Sequence, residues 1–143
     1  MGKSNMNVQI DYLSATFPFD IEDHDHEVEK ATALAARVAK YLNCESQYRQ
    51  LEYAFNNFKF EYQIGDSIEL RVSGPKNKLH KRTCQIELKG EGCREFEKKN
   101  PEKSWLQFIF WLYRRKATFR RIDIAMDDLS GDVMTMEYIL DKV

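Results

Sequence analysis

The sequence lacks the features that define several common protein classes. It holds only three cysteines, Cys44, Cys84 and Cys93, which are widely spaced and odd in number, so neither a disulfide framework nor a zinc site is predicted. It has no apolar run of membrane-spanning length, and its polar first residues lack the apolar core of a signal peptide. Internal repeats and low-complexity segments are also missing. We therefore expect a reduced, cytoplasmic protein with no membrane association.

The chain does contain enough apolar material for one core. Its 143 residues are 43% hydrophobic and 13% aromatic, which predicts a single domain over residues 1–143 that folds without disulfides. A helical pattern begins at Val133 and the chain stops with that helix barely formed. We therefore expect this domain to be the N-terminal part of a longer protein.

Charge is unevenly distributed, although the net charge is only −1. Residues 1–75 carry 7 basic and 12 acidic side chains, residues 76–121 carry 14 and 5, and residues 122–143 carry 1 and 6, which gives −5, +9 and −5. A basic segment followed by an acidic one is typical of a nucleic-acid surface beside a metal site, because phosphates attract Lys and Arg whereas cations attract carboxylates. Helices with solvated basic faces would give the same pattern.

The spacing of apolar residues predicts an α+β fold. Strand patterns occur at five places, 7–17, 53–64, 67–73, 83–89 and 120–128, and helical patterns at 27–42, 93–99, 104–115 and from 133 onward. Pro18 is expected to end the first strand. This order predicts an antiparallel sheet with helices packed on it, an elaborated βαββαβ plan that nicking endonucleases share with ferredoxins and RNA-recognition folds. The plan does not by itself select a function.

The densest acidic chemistry lies on the predicted strand Arg120–Asp128. Side chains alternate along a strand, so Arg121, Asp123 and Asp127 are predicted to share one face. Carboxylates this close repel each other unless they are solvated or share a cation. If the strand of Glu87 lies nearby in the sheet, Glu87, Asp123 and Asp127 would form an oxygen-ligand set for Mg²⁺ or Mn²⁺. The alternative is a solvated face that continues into a turn.

Four segments together resemble the N-terminal portion of rolling-circle replication initiation proteins, the Rep_trans or replication initiation factor family. They are DYLSATF from Asp11, QIELKGEGC from Gln85, the aromatic helix from Trp105, and RIDIAMDD from Arg121, the most specific of the four. The resemblance extends from about residue 7 to the end of the chain. It implies an initiator that binds origin DNA, nicks one strand with a tyrosine, and stays attached to the 5′ phosphate with help from a divalent metal.

The resemblance also implies roles for individual residues. Asp123, together with Glu87 and Asp127, would hold Mg²⁺ or Mn²⁺. Basic residues would hold DNA phosphates, and the candidates are Lys76, Lys78, Lys81, Arg82, Lys89, Arg120 and Arg121. The family's nucleophilic tyrosine lies beyond the end of this chain, so no catalytic residue is expected here, and Tyr113 and Tyr138 are interpreted as helix-packing residues. Origin DNA is the expected partner, and a replicative helicase of the host is a candidate second partner.

A non-enzymatic module on the same fold is the alternative hypothesis. Such a module would bind DNA or a replication partner, with Asp123 and Asp127 serving structure alone. A protein-interaction domain whose basic segment is simply solvated is a third possibility. The nicking initiator predicts metal binding that is lost in Asp123→Asn, whereas the module predicts DNA binding that weakens with salt and does not depend on metal.

Overall fold

The chain folds around one antiparallel sheet, and a computed structural model describes residues 6–20, 26–44, 48–50, 57–76 and 80–128. The elements in chain order are β1 Met6–Phe19, α1 Glu27–Tyr41, β2 Tyr48–Gln50, β3 Phe60–Ile64, β4 Ile68–Val72, β5 Arg82–Leu88, α2 Gly90–Lys99, α3 Trp105–Arg114 and β6 Thr118–Asp128. The six strands lie in the order β2-β3-β4-β5-β1-β6. The α+β prediction is therefore confirmed, whereas the predicted helix from 133 lies outside the described residues.

One face of the sheet carries the hydrophobic core. Leu13 of β1, Leu70 of β4 and Ile86 of β5 are fully buried there, and α1, α2 and α3 contribute their buried side chains to the same cluster. Leu70 and Ile86 are apolar members of the strand patterns predicted at 67–73 and 83–89. Each large apolar side chain that leaves water in this way contributes roughly 1.5–3 kcal/mol.

The three cysteines belong to this core. Cys44, Cys84 and Cys93 are buried free thiols. Burial raises the pKa of all three, that of Cys93 to about 12. The reactive thiolate is therefore suppressed at neutral pH, and these residues act as small apolar side chains.

β1 does not alternate strictly along its length. Its pairing with β6 shifts register between Ile10 and Tyr12, and Ile10 is buried in the core together with Leu13. Strict alternation would place Ile10 and Tyr12 on the same face of the sheet, but Asp11 is an extra residue in β1, so Tyr12 lies on the opposite face from Ile10. Asp11 instead accepts a hydrogen bond from Arg94 Nη1 of α2 at 3.1 Å.

Pro18 lies inside β1 rather than at its end. It pairs with Thr83 of β5, whereas β6 begins opposite Thr16. Pro18 therefore has a neighbouring strand on one side only. An edge position tolerates the missing N–H of proline, which explains why the predicted strand end is wrong.

α2 begins at Gly90, three residues before the helix predicted at 93–99. A Cβ atom added at Gly92 would lie 2.6 Å from the backbone oxygen of Ser67. Glycine at this position therefore lets the helix approach the β3–β4 turn closely. Glu95 of the same helix accepts hydrogen bonds from the N–H groups of Asp66 and Ser67, each at 2.8 Å, and so anchors the turn.

α3 begins at a capping box that the sequence analysis did not identify. Ser104 Oγ accepts from the Gln107 N–H at 3.1 Å, and the Gln107 side chain accepts from the Ser104 N–H at 2.8 Å. The buried face of this helix consists of Trp105, Phe108 and Leu112. Tyr113 is 67% exposed, so its interpretation as a packing residue is wrong, and Tyr138 lies outside the described residues.

Each helix that the structure describes is too short or too polar to cross a membrane.

Candidate nucleic-acid interface on the polar sheet face

The second face of the sheet carries polar side chains from β3 to β6. We call this surface the polar face, and its members are Tyr12, Ser14, Thr16, Glu61, Glu69, Arg71, Gln85, Glu87, Arg120, Arg121 and Asp123. Strand pairing sets the neighbours. Ser14 lies between Glu87 of β5 and Arg121 of β6, while Tyr12 lies opposite Asp123.

Arg71 is the centre of the polar face, and its side chain is only 6% exposed. Its Nε donates to Glu61 at 3.2 Å, and its Nη2 donates to Glu69 at 2.6 Å. Both Nη groups also donate to Glu87 Oε1, at 3.2 and 3.3 Å. Glu69 and Glu87 lie directly opposite each other on β4 and β5. The planar guanidinium therefore offsets the repulsion among three carboxylates.

Glu87 uses both of its carboxylate oxygens within the polar face. Oε1 accepts from Arg71, and Oε2 accepts from the hydroxyl of Tyr12. The Tyr12 ring in turn lies beneath the guanidinium of Arg121, whose central carbon is 4.3 Å from the ring centroid. This cation–π contact links the buried network around Arg71 to the edge strand β6.

Arg121 and Asp123 form an exposed ion pair on β6. The Arg121 Nε and Nη2 donate to the two Asp123 oxygens at 2.9 and 2.5 Å, and the side chains are 59% and 41% exposed. The hydrogen bond from Arg121 lowers the pKa of Asp123, and the same bond raises the pKa of Arg121. The prediction that these two side chains share a face is confirmed. Solvent weakens a pair this exposed.

Arg120 joins the polar face because of a second irregularity. The pairing of β1 with β6 passes from Ser14 opposite Arg121 to Ala15 opposite Phe119, so Arg120 is an extra residue in β6. Its Nε donates to Thr16 Oγ1 at 3.2 Å. Strict alternation would place Arg120 on the opposite side from Arg121, but the bulge directs both guanidinium groups to the same exposed edge.

The predicted metal ligands share a face without converging. Glu87 and Asp123 lie on strands that β1 separates, and their oxygens accept hydrogen bonds from Arg71, Tyr12 and Arg121. Within the described ranges, no three His, Cys, Asp or Glu side chains gather into a metal site. Oxygen donors suit Mg²⁺ and Mn²⁺ chemically, yet in this arrangement the described carboxylates do not fit an ion. The side chain of Asp127 lies outside the described part.

The predicted phosphate contacts occupy separate places. Arg120 and Arg121 lie on the polar face, whereas Lys76, Lys81 and Arg82 lie around the β4–β5 connection. Lys81 Nζ forms an ion pair with Asp20 Oδ2 at 3.1 Å. The predicted phosphate contacts therefore fall into two groups, one on the polar face and one around the β4–β5 connection.

Two further candidates complete that prediction. Lys89 is exposed and follows β5 at the end opposite Arg82, roughly 20 Å along the strand. Lys78 lies outside the described residues. No sequence signal marks Arg71 or Tyr12 as site residues, since a basic residue and a tyrosine on an alternating strand are ordinary. Glu87 contacts both Arg71 and Tyr12 because of the strand order, which the sequence does not show.

Comparison with known proteins gives a consistent family and fold. A family model described as the rolling circle replication initiation protein N-terminal domain matches residues 7–112. A curated protein called putative DNA relaxase NicK, from Bacillus subtilis (strain 168), is 26% identical over 121 residues, which is 83% of this chain and 30% of that protein. The solved rolling circle replication initiator protein from Geobacillus stearothermophilus superposes with a TM-score of 0.61 at 20% identity.

This chain aligns with only part of the length of each relative. The solved structure aligns with 89% of this chain and 46% of its own. This chain therefore spans less than half the length of either relative. At 20% identity the structural likeness shows the fold, which agrees with the predicted antiparallel sheet and helices. The family match ends at residue 112, before β6 begins at Thr118.

Proposed function

Since this chain belongs to the family of rolling-circle replication initiation protein N-terminal domains, we propose that it is the origin-DNA-binding portion of a replication initiator that nicks one DNA strand. The observation that carries the proposal is the pair of exposed guanidinium groups, Arg120 and Arg121, on the edge strand of the polar face. The names of its relatives, a putative DNA relaxase and a replication initiator, support DNA as the ligand.

The geometry of Arg121 suits a phosphate. Its guanidinium already forms a two-pronged contact with a carboxylate, Asp123, and the same fork matches two oxygens of a phosphodiester. Tyr12 supports the guanidinium from below. In this proposal a DNA phosphate competes with Asp123 for Arg121, whereas the buried Arg71 serves structure and does not contact DNA.

DNA binding can be tested by fluorescence anisotropy with a labelled single-stranded oligodeoxynucleotide at several salt concentrations. The affinity should fall steeply with salt. Arg121→Gln should reduce the slope of log K against log salt by about 0.7, the contribution of one phosphate contact on a single strand. Lys98→Gln is the matched control, because Lys98 is exposed on α2, on the other side of the sheet. Binding that ignores salt, or equal losses in both variants, would contradict the proposal.

Metal-assisted nicking is the finer part of the proposal. Asp123 and Glu87 are the residues proposed to hold Mg²⁺ or Mn²⁺ in the DNA complex, although their arrangement in the free protein does not fit an ion. Both carboxylates contact cationic or hydroxyl donors in the free protein. We therefore propose that Asp123 becomes available only once DNA attracts Arg121.

Thermal unfolding with Mn²⁺, with DNA, and with both distinguishes the two hypotheses. A ligand that binds only the folded state raises the unfolding temperature by mass action. The nicking initiator predicts an additional rise when Mn²⁺ and DNA are combined, and Asp123→Asn should abolish this rise. The non-enzymatic module is favoured by the existing partners of Glu87 and Asp123, and it predicts the same unfolding temperature with and without Mn²⁺.

A further inference from the structure

A second basic surface lies on the helical side of the sheet, at the end of β1. We call it the basic groove, and its charged lining is Asp20, Arg37, Lys81, Arg114, Arg115 and Lys116. Five cationic side chains and one anionic side chain give a net charge of +4. The groove therefore concentrates positive charge in a protein whose net charge is −1.

The basic groove consists of two adjoining hollows. One hollow has a volume of about 270 Å³ and lies between β1, α1 and the end of α3. An adjoining hollow of about 350 Å³ shares Asp20 and Arg37 with the first and adds Lys30 of α1. The first volume lies below, and the second just above, the lower limit of the roughly 300–1,000 Å³ typical of small-molecule sites. Two small adjoining hollows lined by cations suit successive anionic groups better than one bulky cofactor.

Within the part of the chain that the structure describes, most cations of the basic groove have no carboxylate partner. Lys81 and Asp20 form an ion pair, but both side chains remain 39% and 70% exposed. Among the residues that the structure describes, Arg37, Arg114 and Lys116 form no ion pair with a carboxylate. An anion that entered the groove would therefore not have to displace a described carboxylate from these three side chains.

Arg115 is held in place at the inner end of the basic groove. Its guanidinium carbon lies 3.7 Å from the centre of the Trp111 ring, and its Nη1 donates to the Trp111 oxygen at 3.0 Å. Burial and the nearby charge of Arg37 lower the pKa of Arg115. A bound anion would offset the repulsion between the guanidinium groups of Arg115 and Arg37. Because the Arg115 side chain is already fixed, it loses little conformational entropy when the anion binds.

We propose that the basic groove binds the phosphodiester backbone of DNA at a second site, distinct from the polar face. The choice of DNA as the ligand rests on the proposed function, because free inorganic phosphate would offer the groove the same chemistry. Phe17 and Leu34 give the groove an apolar floor, against which a deoxyribose can pack while the cations contact the phosphates.

The test compares two double variants that each remove two positive charges. Arg37→Gln with Arg114→Gln removes exposed cations of the basic groove. Lys40→Gln with Lys98→Gln removes exposed cations outside it, and Lys40 shares α1 with Arg37. If each groove residue contacts one phosphate, the slope of log K against log salt falls by about 1.4. If wild type and variant bind equally at 1 M salt, this change corresponds to roughly a 25-fold loss of single-strand affinity at 0.1 M salt. The control should retain the wild-type slope.

Further measurements distinguish DNA from a free anion as the ligand of the groove. They also distinguish failure of the groove proposal from failure of the proposed function. If the groove variant binds DNA like its control while Arg121→Gln weakens binding, the groove proposal is overturned and the proposed function survives. If inorganic phosphate raises the unfolding temperature of the wild type but not of the groove variant, and DNA affinity is equal in both, the groove holds a free anion and the DNA assignment is wrong. If the wild type does not bind DNA at low salt, both proposals fail.

Discussion

The apolar and polar faces of the sheet use the same strands but obtain their order from different interactions. On the apolar face, side chains such as Leu70 and Ile86 are buried by helices, and any apolar residue of suitable volume would serve. On the polar face, Arg71 is almost as buried, but it depends on particular partners at hydrogen-bond distance. Burial alone therefore does not reveal how sensitive a position is to chemical change.

The polar face also differs along its own width. Around Arg71 the charges are desolvated and their partners come from three strands, Glu61 on β3, Glu69 on β4 and Glu87 on β5. At the edge, Arg121 and Asp123 are exposed and belong to one strand. The interior of the face therefore has the character of a structural network, whereas its edge can exchange partners with a ligand.

The largest effect is expected from Arg71→Met. This substitution leaves Glu61 and Glu87, whose side chains are only 10% and 12% exposed, without the guanidinium that they share. Removing one member of a buried charge network costs roughly 3–5 kcal/mol, and we expect about 3 kcal/mol because Glu69 can regain water. Urea unfolding monitored by circular dichroism measures the loss.

Arg121→Met is the matched control for this experiment, since it removes the same group from the exposed edge of the same face. It should leave the urea midpoint nearly unchanged. Equal destabilisation by the two substitutions would show that the distinction between the interior and the edge of the polar face is wrong.

A smaller effect is expected where α2 approaches the apolar side of the sheet. Gly92→Ala places a methyl group 2.6 Å from the Ser67 oxygen, and overpacking of this kind costs roughly 1–3 kcal/mol. Gly90→Ala is the control, because its added Cβ meets only the Asp11 oxygen at 3.8 Å. Thermal unfolding of both variants measures the difference. A stable Gly92→Ala protein would mean that α2 moves freely against the β3–β4 turn.

Much of the apolar face could be predicted from the sequence. The alternation Ile68, Leu70, Val72 and the helical spacing of α1 each follow from one local period, and both elements formed within two residues of the predicted bounds. The departures arose where a distant strand or helix decides the outcome. Pro18 remains within β1 because β6 begins opposite Thr16 and leaves Pro18 with a neighbouring strand on one side only. α2 begins three residues before its predicted start, where Gly92 allows close packing against Ser67.

The candidate site was less accessible to sequence reasoning. Local alternation correctly placed Arg121 beside Asp123, since both lie on one strand. It could not show that β1 enters between the strands of Glu87 and Asp123, nor that a bulge redirects Arg120. These facts depend on strand order and register, which involve residues far apart in the chain.

The smallest effect concerns the protonation of Asp123. Its folded-state pKa is lowered by Arg121, so the ion pair contributes stability above the unfolded carboxyl pKa of about 3.9. That contribution is lost as the pH falls through the lower folded-state value. An NMR titration of the side-chain carboxyl should therefore give a higher pKa for Asp123 in Arg121→Gln than in the wild type, while Lys98→Gln should leave it unchanged.

The same titration tests whether the edge of the polar face exchanges partners. If a DNA phosphate draws Arg121 away from Asp123, bound DNA should raise the Asp123 pKa in the wild type, because the carboxylate loses its donor and gains a negative neighbour. In Arg121→Gln the shift caused by DNA should be smaller, since no guanidinium remains to be withdrawn. A wild-type pKa that is insensitive to saturating DNA would show that Arg121 stays with Asp123 in the complex, and the edge would then be as fixed as the interior around Arg71.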